Sequence, residues 1–145
     1  MAVSSEVLIK HLNDDLSREF QSIIAYVNYS QVIKGAEYMH IAAELEKHAL
    51  EELQHAMTIC KLIDYLGDVP ITTPKEVRMS EDSREMLQFD LHNENETVRE
   101  YKLRIKECEE LGEYAMAEEI RTILVQEQEH RIDLATALGV KLQPL

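Results

Sequence analysis

The amino-acid sequence predicts an all-α protein, a four-helix bundle of two helical hairpins joined by one long crossover. Three observations predict it. Helix breakers are scarce, with 4 Gly and 3 Pro in 145 residues. Apolar residues recur at helical spacing through four long segments, with the breakers falling between them. The pattern also repeats with itself at an offset of 75 residues, as Asp15 to Asp90, Leu16 to Leu91 and Tyr26 to Tyr101 show.

The first helix is expected over about 5–34, ending at Gly35, and the second over about 37–66, ending at Gly67. Residues 67 to 80 carry Gly67, Pro70 and Pro74 around Ile71-Thr72-Thr73, which reads as an extended connector. Ser80 followed by Glu81 and Asp82 has the form of an N-cap with an acidic first turn, opening a third helix over about 80–110. Gly112 breaks the chain, and a fourth helix over about 113–138 ends at Gly139. Two short loops and one long middle connection define a single-crossover bundle, expected to be one domain over residues 1–145.

Composition narrows the functional classes. A formal net charge of −13 repels nucleic acid and anionic membranes and favours cations. No stretch approaches the roughly 20 apolar residues of a membrane span, and the first residues lack a basic region leading into an apolar run, so a cytoplasmic location is expected. Cys60 and Cys108 stand apart without a CxxC, which argues for reduced structural thiols rather than a disulfide or a cysteine-based metal site.

Chemistry enters where carboxylates interrupt apolar stripes. Leu12, Leu16, Ile23 and Tyr26 share a helix face with Glu19; Leu87, Leu91, Val98, Tyr101 and Ile105 share one with Glu94. The second and fourth helices carry Glu52 with His55 and Glu127 with His130, each pair at i, i+3 and so on one face. An ExxH pair is weak by itself, since about one is expected by chance in this composition. The pair Glu37 and His40 has no repeat partner and is read as such a coincidence.

Position along the hairpins is the stronger signal. Glu19 and Glu52 are 33 residues apart, as are Glu94 and Glu127, and the midpoints fall next to Gly35 and Gly112. Residues equidistant from an antiparallel turn lie at one height, here about 24 Å from it at 1.5 Å per residue. Glu19, Glu52, His55, Glu94, Glu127 and His130 therefore converge on one layer. Four carboxylates buried together must be protonated or bind cations, and two divalent cations balance them. Mixed carboxylate and imidazole ligands suit iron, manganese or zinc over calcium or magnesium. Symmetry makes Glu52 and Glu127 the bridges, with Glu19 and His55 on one ion and Glu94 and His130 on the other.

Several residues near this layer have supporting roles open to them. Asp15 and Asp90, one turn before Glu19 and Glu94, are placed either to accept hydrogen bonds from the ligand histidines or to face solvent. Tyr26 and Tyr101 lie two turns beyond Glu19 and Glu94, where they either bond to a ligand, supply an electron or, the commoner role, pack in the core. His48, one turn before Glu52, is placed to assist the site, but reads more readily as a partly exposed histidine. Met39, Met57, Met79, Met86 and Met116 read as core filler or surface residues.

At these residues the chain resembles the bacterioferritins and their relatives in the ferritin-like superfamily, from the first helix through the fourth. The matching segments are Ser17-Arg18-Glu19-Phe20, Glu52-Leu53-Gln54-His55-Ala56, Asp90-Leu91-His92-Asn93-Glu94 and Glu127-Gln128-Glu129-His130, followed by Asp133. The resemblance implies a ferritin-like bundle holding two iron ions, a ferroxidase that oxidises Fe(II) with dioxygen or peroxide, and storage or detoxification of the ferric product. Tyr26 matches a family tyrosine near that centre.

The chain departs from the family in three places. Bacterioferritins bind haem through a Met where Leu53 stands, so no haem is expected. Cage-forming ferritins add a short fifth helix after the fourth, which favours a homo-oligomer of at least a dimer and puts a 24-subunit shell in question. Rubrerythrins carry an extra Glu where Thr97 stands, and their rubredoxin cysteines are absent. A rubrerythrin-like di-iron peroxidase is thus the second expectation, and a non-redox metal-binding scaffold the third.

Overall fold

Ser4 starts the first helix: its hydroxyl accepts from the Val7 amide, and α1 spans Ser5–Val32. A single 3-10 turn, Ala36–Tyr38, follows Gly35 and leads into α2, Met39–Tyr65. The turn tightens the start of the second helix by two residues relative to the expected boundary. Gly67 has φ 90°, a left-handed conformation that a side chain rarely adopts, and it closes α2 with paired bonds from Gly67 N to Asp64 O and from Asp68 N to Ile63 O. The third and fourth helices, α3 and α4, span Ser83–Glu110 and Tyr114–Leu138. This computed structural model describes residues 2–145 and is an all-α four-helix bundle.

The cap of α3 differs from the expected one. Asp82, not Ser80, accepts from the Arg84 and Glu85 amides, while Ser80 bonds back to the Asp82 amide. The segment Ser80 to Ser83 offers several cap-competent side chains. The buried positions Met86 and Leu87 select the register in which Asp82 caps.

The crossover is fastened to α1 along its length. Ile71 N donates to Asn13 Oδ1, Lys75 N to Ser17 O, Ser17 Oγ to Thr73 O and Gln21 Nε2 to Glu76 O. Tyr29 OH donates to the Arg78 carbonyl, and Ser83 Oγ bonds to both backbone groups of Lys34. The chain is thereby carried from the foot of α1 to its head before α3 begins, which sets α3 antiparallel to α1.

The apolar interior is divided in two. One cluster gathers Leu8, Leu12, Leu16, Ile59, Ile63 and Ile120; the other gathers Tyr29, Ile41, Leu45, Met86, Leu87 and Leu134. Between them lies a layer of buried polar and charged groups. Cys60 and Cys108 are free. No helix among the described residues is long and apolar enough to cross a membrane.

Candidate metal centre

The polar layer holds all six residues expected there. Glu19 comes from α1, Glu52 and His55 from α2, Glu94 from α3, and Glu127 and His130 from α4, and none is more than 2% exposed. They form two overlapping groups, Glu19-Glu52-His55-Glu127 and Glu52-Glu94-Glu127-His130, whose ligand atoms lie within 4.8 Å of one another. Glu52 and Glu127 belong to both. Such overlap suits two adjacent cations sharing two carboxylates.

The histidines reach across the bundle. His55 Nδ1 lies 2.6 Å from Glu127 Oε1, and His130 Nδ1 lies 2.9 Å from Glu52 Oε1. Their outer nitrogens face acceptors: His55 Nε2 donates to Gln126 Oε1 at 2.5 Å and His130 Nε2 to Glu51 Oε1 at 3.2 Å. An Nε2 proton held outward turns Nδ1 toward the carboxylates, the nitrogen that would ligate a metal once its own proton is displaced.

Each of the six also keeps at least one buried nitrogen or oxygen without a hydrogen-bond partner, including both oxygens of Glu52 and of Glu127. Buried polar atoms are normally satisfied, so orphans concentrated on one set of ligand-type atoms fit cations as their partners.

Electrostatics agree with the geometry. Burial, reinforced by the neighbouring carboxylates, pushes Glu52 and Glu127 well above the usual carboxylate range. Burial also opposes ionisation of Glu19 and Glu94, but bonds to Glu19 from His55, Glu52 and Tyr101, and to Glu94 from Glu127, His130 and Tyr26, outweigh it. Glu94 is held at about 2. Burial depresses both imidazoles, yet the carboxylates around them win, raising His130 to about 9 and His55 further still. Without a cation among them, two neutral glutamic acids, two glutamates and two imidazoliums balance to zero. Two divalent cations achieve the same balance by displacing four protons.

Tyr26 and Tyr101 act crosswise. Tyr26 OH donates to Glu94 Oε1 at 2.6 Å and Tyr101 OH to Glu19 Oε1 at 2.5 Å, so each tyrosine serves the ligand of the facing helix. Burial pushes both phenols well up, aided by the charge of the carboxylate each one contacts, which keeps them as donors.

Three expectations need correction. Asp15 is buried but bonds no histidine: Arg104 donates to it from Nε at 2.7 Å and NH2 at 3.0 Å, and Arg18 from NH2 at 2.7 Å. Asp90 is buried with Oδ2 unpartnered, and burial together with the charge of Glu94 pushes its carboxyl well up. Neither aspartate bonds His55 or His130; Gln126 and Glu51 do. His48 is 1% exposed, not partly exposed, with its ring stacked on His130 at 3.9 Å between centroids.

The sequence held signals for two of these. Glu51 and Gln126 obey the same 75-residue offset as Glu52 and Glu127, which they precede by one position, and the repeat equivalent of His48 is the apolar Ile123. Arg18 pairs with Asp15 at i, i+3 on α1, but Arg104 has no such signal, because it meets Asp15 only after α1 and α3 pack.

A family model described as the ferritin-like domain matches residues 9–142. The bacterioferritin of Brucella melitensis is 26% identical over 134 residues, 92% of this chain and 83% of that protein. The bacterioferritin of Desulfovibrio desulfuricans is 28% identical over 125 residues, covering 85% and 69%. Among solved structures, a ferritin-like diiron-carboxylate protein from Bacillus anthracis superposes with a TM-score of 0.89 at 28% identity, covering 95% of this chain and 99% of the other. A dodecameric thioferritin, the bacterioferritin-related protein of Bacteroides fragilis, superposes with a TM-score of 0.85 at 28% identity, covering 94% and 87%.

Proposed function

The chain belongs to the ferritin-like domain family, and from that premise we propose that it is a ferroxidase. It would take up two Fe(II) ions in the polar layer and oxidise them with dioxygen or peroxide, for iron storage or detoxification. The observation that carries this reading is the pair of overlapping ligand groups sharing Glu52 and Glu127. Glu52 and Glu127, common to both groups, would serve both ions, with Glu19 and His55 holding one and Glu94 and His130 the other. Bound iron supplies the electrons that reduce the oxidant.

The rest is the work of the chain. Gln126 and Glu51 hold the imidazoles in the ligating tautomer. Tyr101 and Tyr26 fix the orientation of Glu19 and Glu94. The two apolar clusters close the layer above and below, so that charge interactions across it are strong.

Peroxidase chemistry is the lesser reading, because the position of the additional glutamate of rubrerythrins is the buried Thr97, which accepts from Arg18 Nε at 3.1 Å. Manganese or zinc fits the same ligands. A homo-oligomer belongs to the proposal, by likeness to the dodecameric Bacteroides fragilis protein.

The test is to mix metal-free protein with two Fe(II) per chain under air or peroxide and follow the ferric absorbance. Wild type should oxidise the iron rapidly and pass it onward, and Glu94→Ala should slow oxidation by about 100-fold or more, beyond the usual cost of losing a ligand's supporting partner. Wild-type rates in that variant would refute the site. A fixed iron pair that consumes peroxide would favour the peroxidase, and absence of reaction the scaffold.

A further inference from the structure

Beside the six-residue layer, on the side of Tyr26 and Asp90, lies a second set of ligand-type side chains that the proposed chemistry does not use. Glu44 on α2, His48 on α2 and Asp133 on α4 each offer one ligand atom, and these lie within 4.8 Å of one another. Glu44 and His48 are i, i+4 on one face of α2, and Asp133 meets them from the antiparallel α4. His48 Nε2 lies 3.1 Å from Asp133 Oδ2.

The histidine is what separates this set from ordinary surface acids. Its ring is 1% exposed, yet Nδ1 has no partner and Asp133 is its one hydrogen bond. The other contacts of the ring are aromatic, with His130 stacked at 3.9 Å and Tyr26 edge-on at 5.1 Å. A buried imidazole with a single hydrogen bond and two carboxylates in reach has the donor set of a transition-metal site.

We propose that Glu44, His48 and Asp133 form a third, mononuclear site for a divalent transition-metal cation, distinct from the six-residue centre. One imidazole with two carboxylates selects first-row transition cations over calcium and magnesium, which prefer all-oxygen shells. Glu44 and Asp133 also line a surface cavity of about 310 Å³, and this opens the site to solvent. Lys47 Nζ bonds Glu44 Oε1 at 2.9 Å, but its side chain is 68% exposed and free to swing away when a cation arrives.

The site has solvent on one side and, through the stacked ring of His48, His130 on the other. A cation held there waits one step from the buried centre. That transit role rests on the ferroxidase reading; the binding does not.

Equilibrium dialysis of the metal-free, full-length protein against Co(II) separates the two. Wild type should retain three Co(II) per chain, Glu44→Gln/Asp133→Asn two, and Glu52→Gln/Glu127→Gln about one. The first double variant alters only partly exposed side chains, so its fold is not at stake, and anomalous diffraction of the wild-type Co(II) form locates the ion directly. Equal retention by wild type and Glu44→Gln/Asp133→Asn, or no anomalous peak beside His48, would overturn the third site. Loss of one ion in that variant, with Glu52→Gln/Glu127→Gln matching wild type, would support the third site while sinking the reading of the centre.

Discussion

The two hairpins agree where they touch the buried polar layer and disagree one turn away from it. The hydrogen bonds onto the layer come in pairs related by the 75-residue offset: Tyr101 on Glu19 and Tyr26 on Glu94, Gln126 on His55 and Glu51 on His130. Beyond it, Asp15 is enclosed by Arg18 and Arg104, whereas its counterpart Asp90 has Asn93 and Tyr29 in the equivalent places. His48 likewise stands where the other half has Ile123. Two equivalent cations demand symmetric ligands and nothing more. The difference outside gives the site a direction, with one side sealed by a buried ion network and the other carrying underbonded Asp90 and His48 beside a surface cavity.

The largest contrast should appear in stability. Arg104→Ala leaves Asp15 buried with a single guanidinium, and removing one partner of a buried ion network costs about 3–5 kcal/mol. Asp90→Asn removes no ion pair and should change unfolding free energy by less than about 1 kcal/mol. Urea denaturation of both variants without metal checks this. Similar losses in the two would mean that the halves are held alike.

The tyrosines should show symmetry instead. Tyr26→Phe and Tyr101→Phe each delete one hydrogen bond to a ligand carboxylate, worth about 1.5–3 kcal/mol for a charged acceptor. Each should weaken binding of one of the two cations in the layer, by matching amounts in a calorimetric titration with Mn(II). Strongly unequal effects would break the equivalence of the two ion positions.

The smallest effect is with pH. His130, raised to about 9 by its carboxylate neighbours, must lose its proton to ligate, as must Glu52 and Glu127. Protons therefore compete with cations at neutral pH, and affinity should climb as pH rises from 7 toward 9. Heats of Mn(II) binding in buffers of different ionisation enthalpy should report up to four protons released per two ions. Affinity independent of pH would contradict the charge balance derived for the layer.

The repeat explains how much could be read from the sequence. Each of the six layer residues has a counterpart at the offset, and their common distance from the hairpin turns places them at one height before any packing is known. Gln126 and Glu51 were equally legible, but their roles depend on which histidine nitrogen faces inward, and spacing does not carry that. In the Arg18-Asp15-Arg104 network only the i, i+3 pair of Asp15 and Arg18 has a periodic trace; Arg104 joins from α3 across a packing contact and has none. The N-cap of α3 was legible only to within two residues, because Ser80 and Asp82 are both good caps and burial of Met86 and Leu87 decides between them.

The most direct test of the centre is anomalous diffraction at the iron edge from crystals loaded anaerobically with Fe(II). Two iron peaks are expected inside the polar layer, both contacted by Glu52 and Glu127, one also by Glu19 and His55 and the other by Glu94 and His130. A single peak there, or iron found only at surface carboxylates, would contradict this assignment.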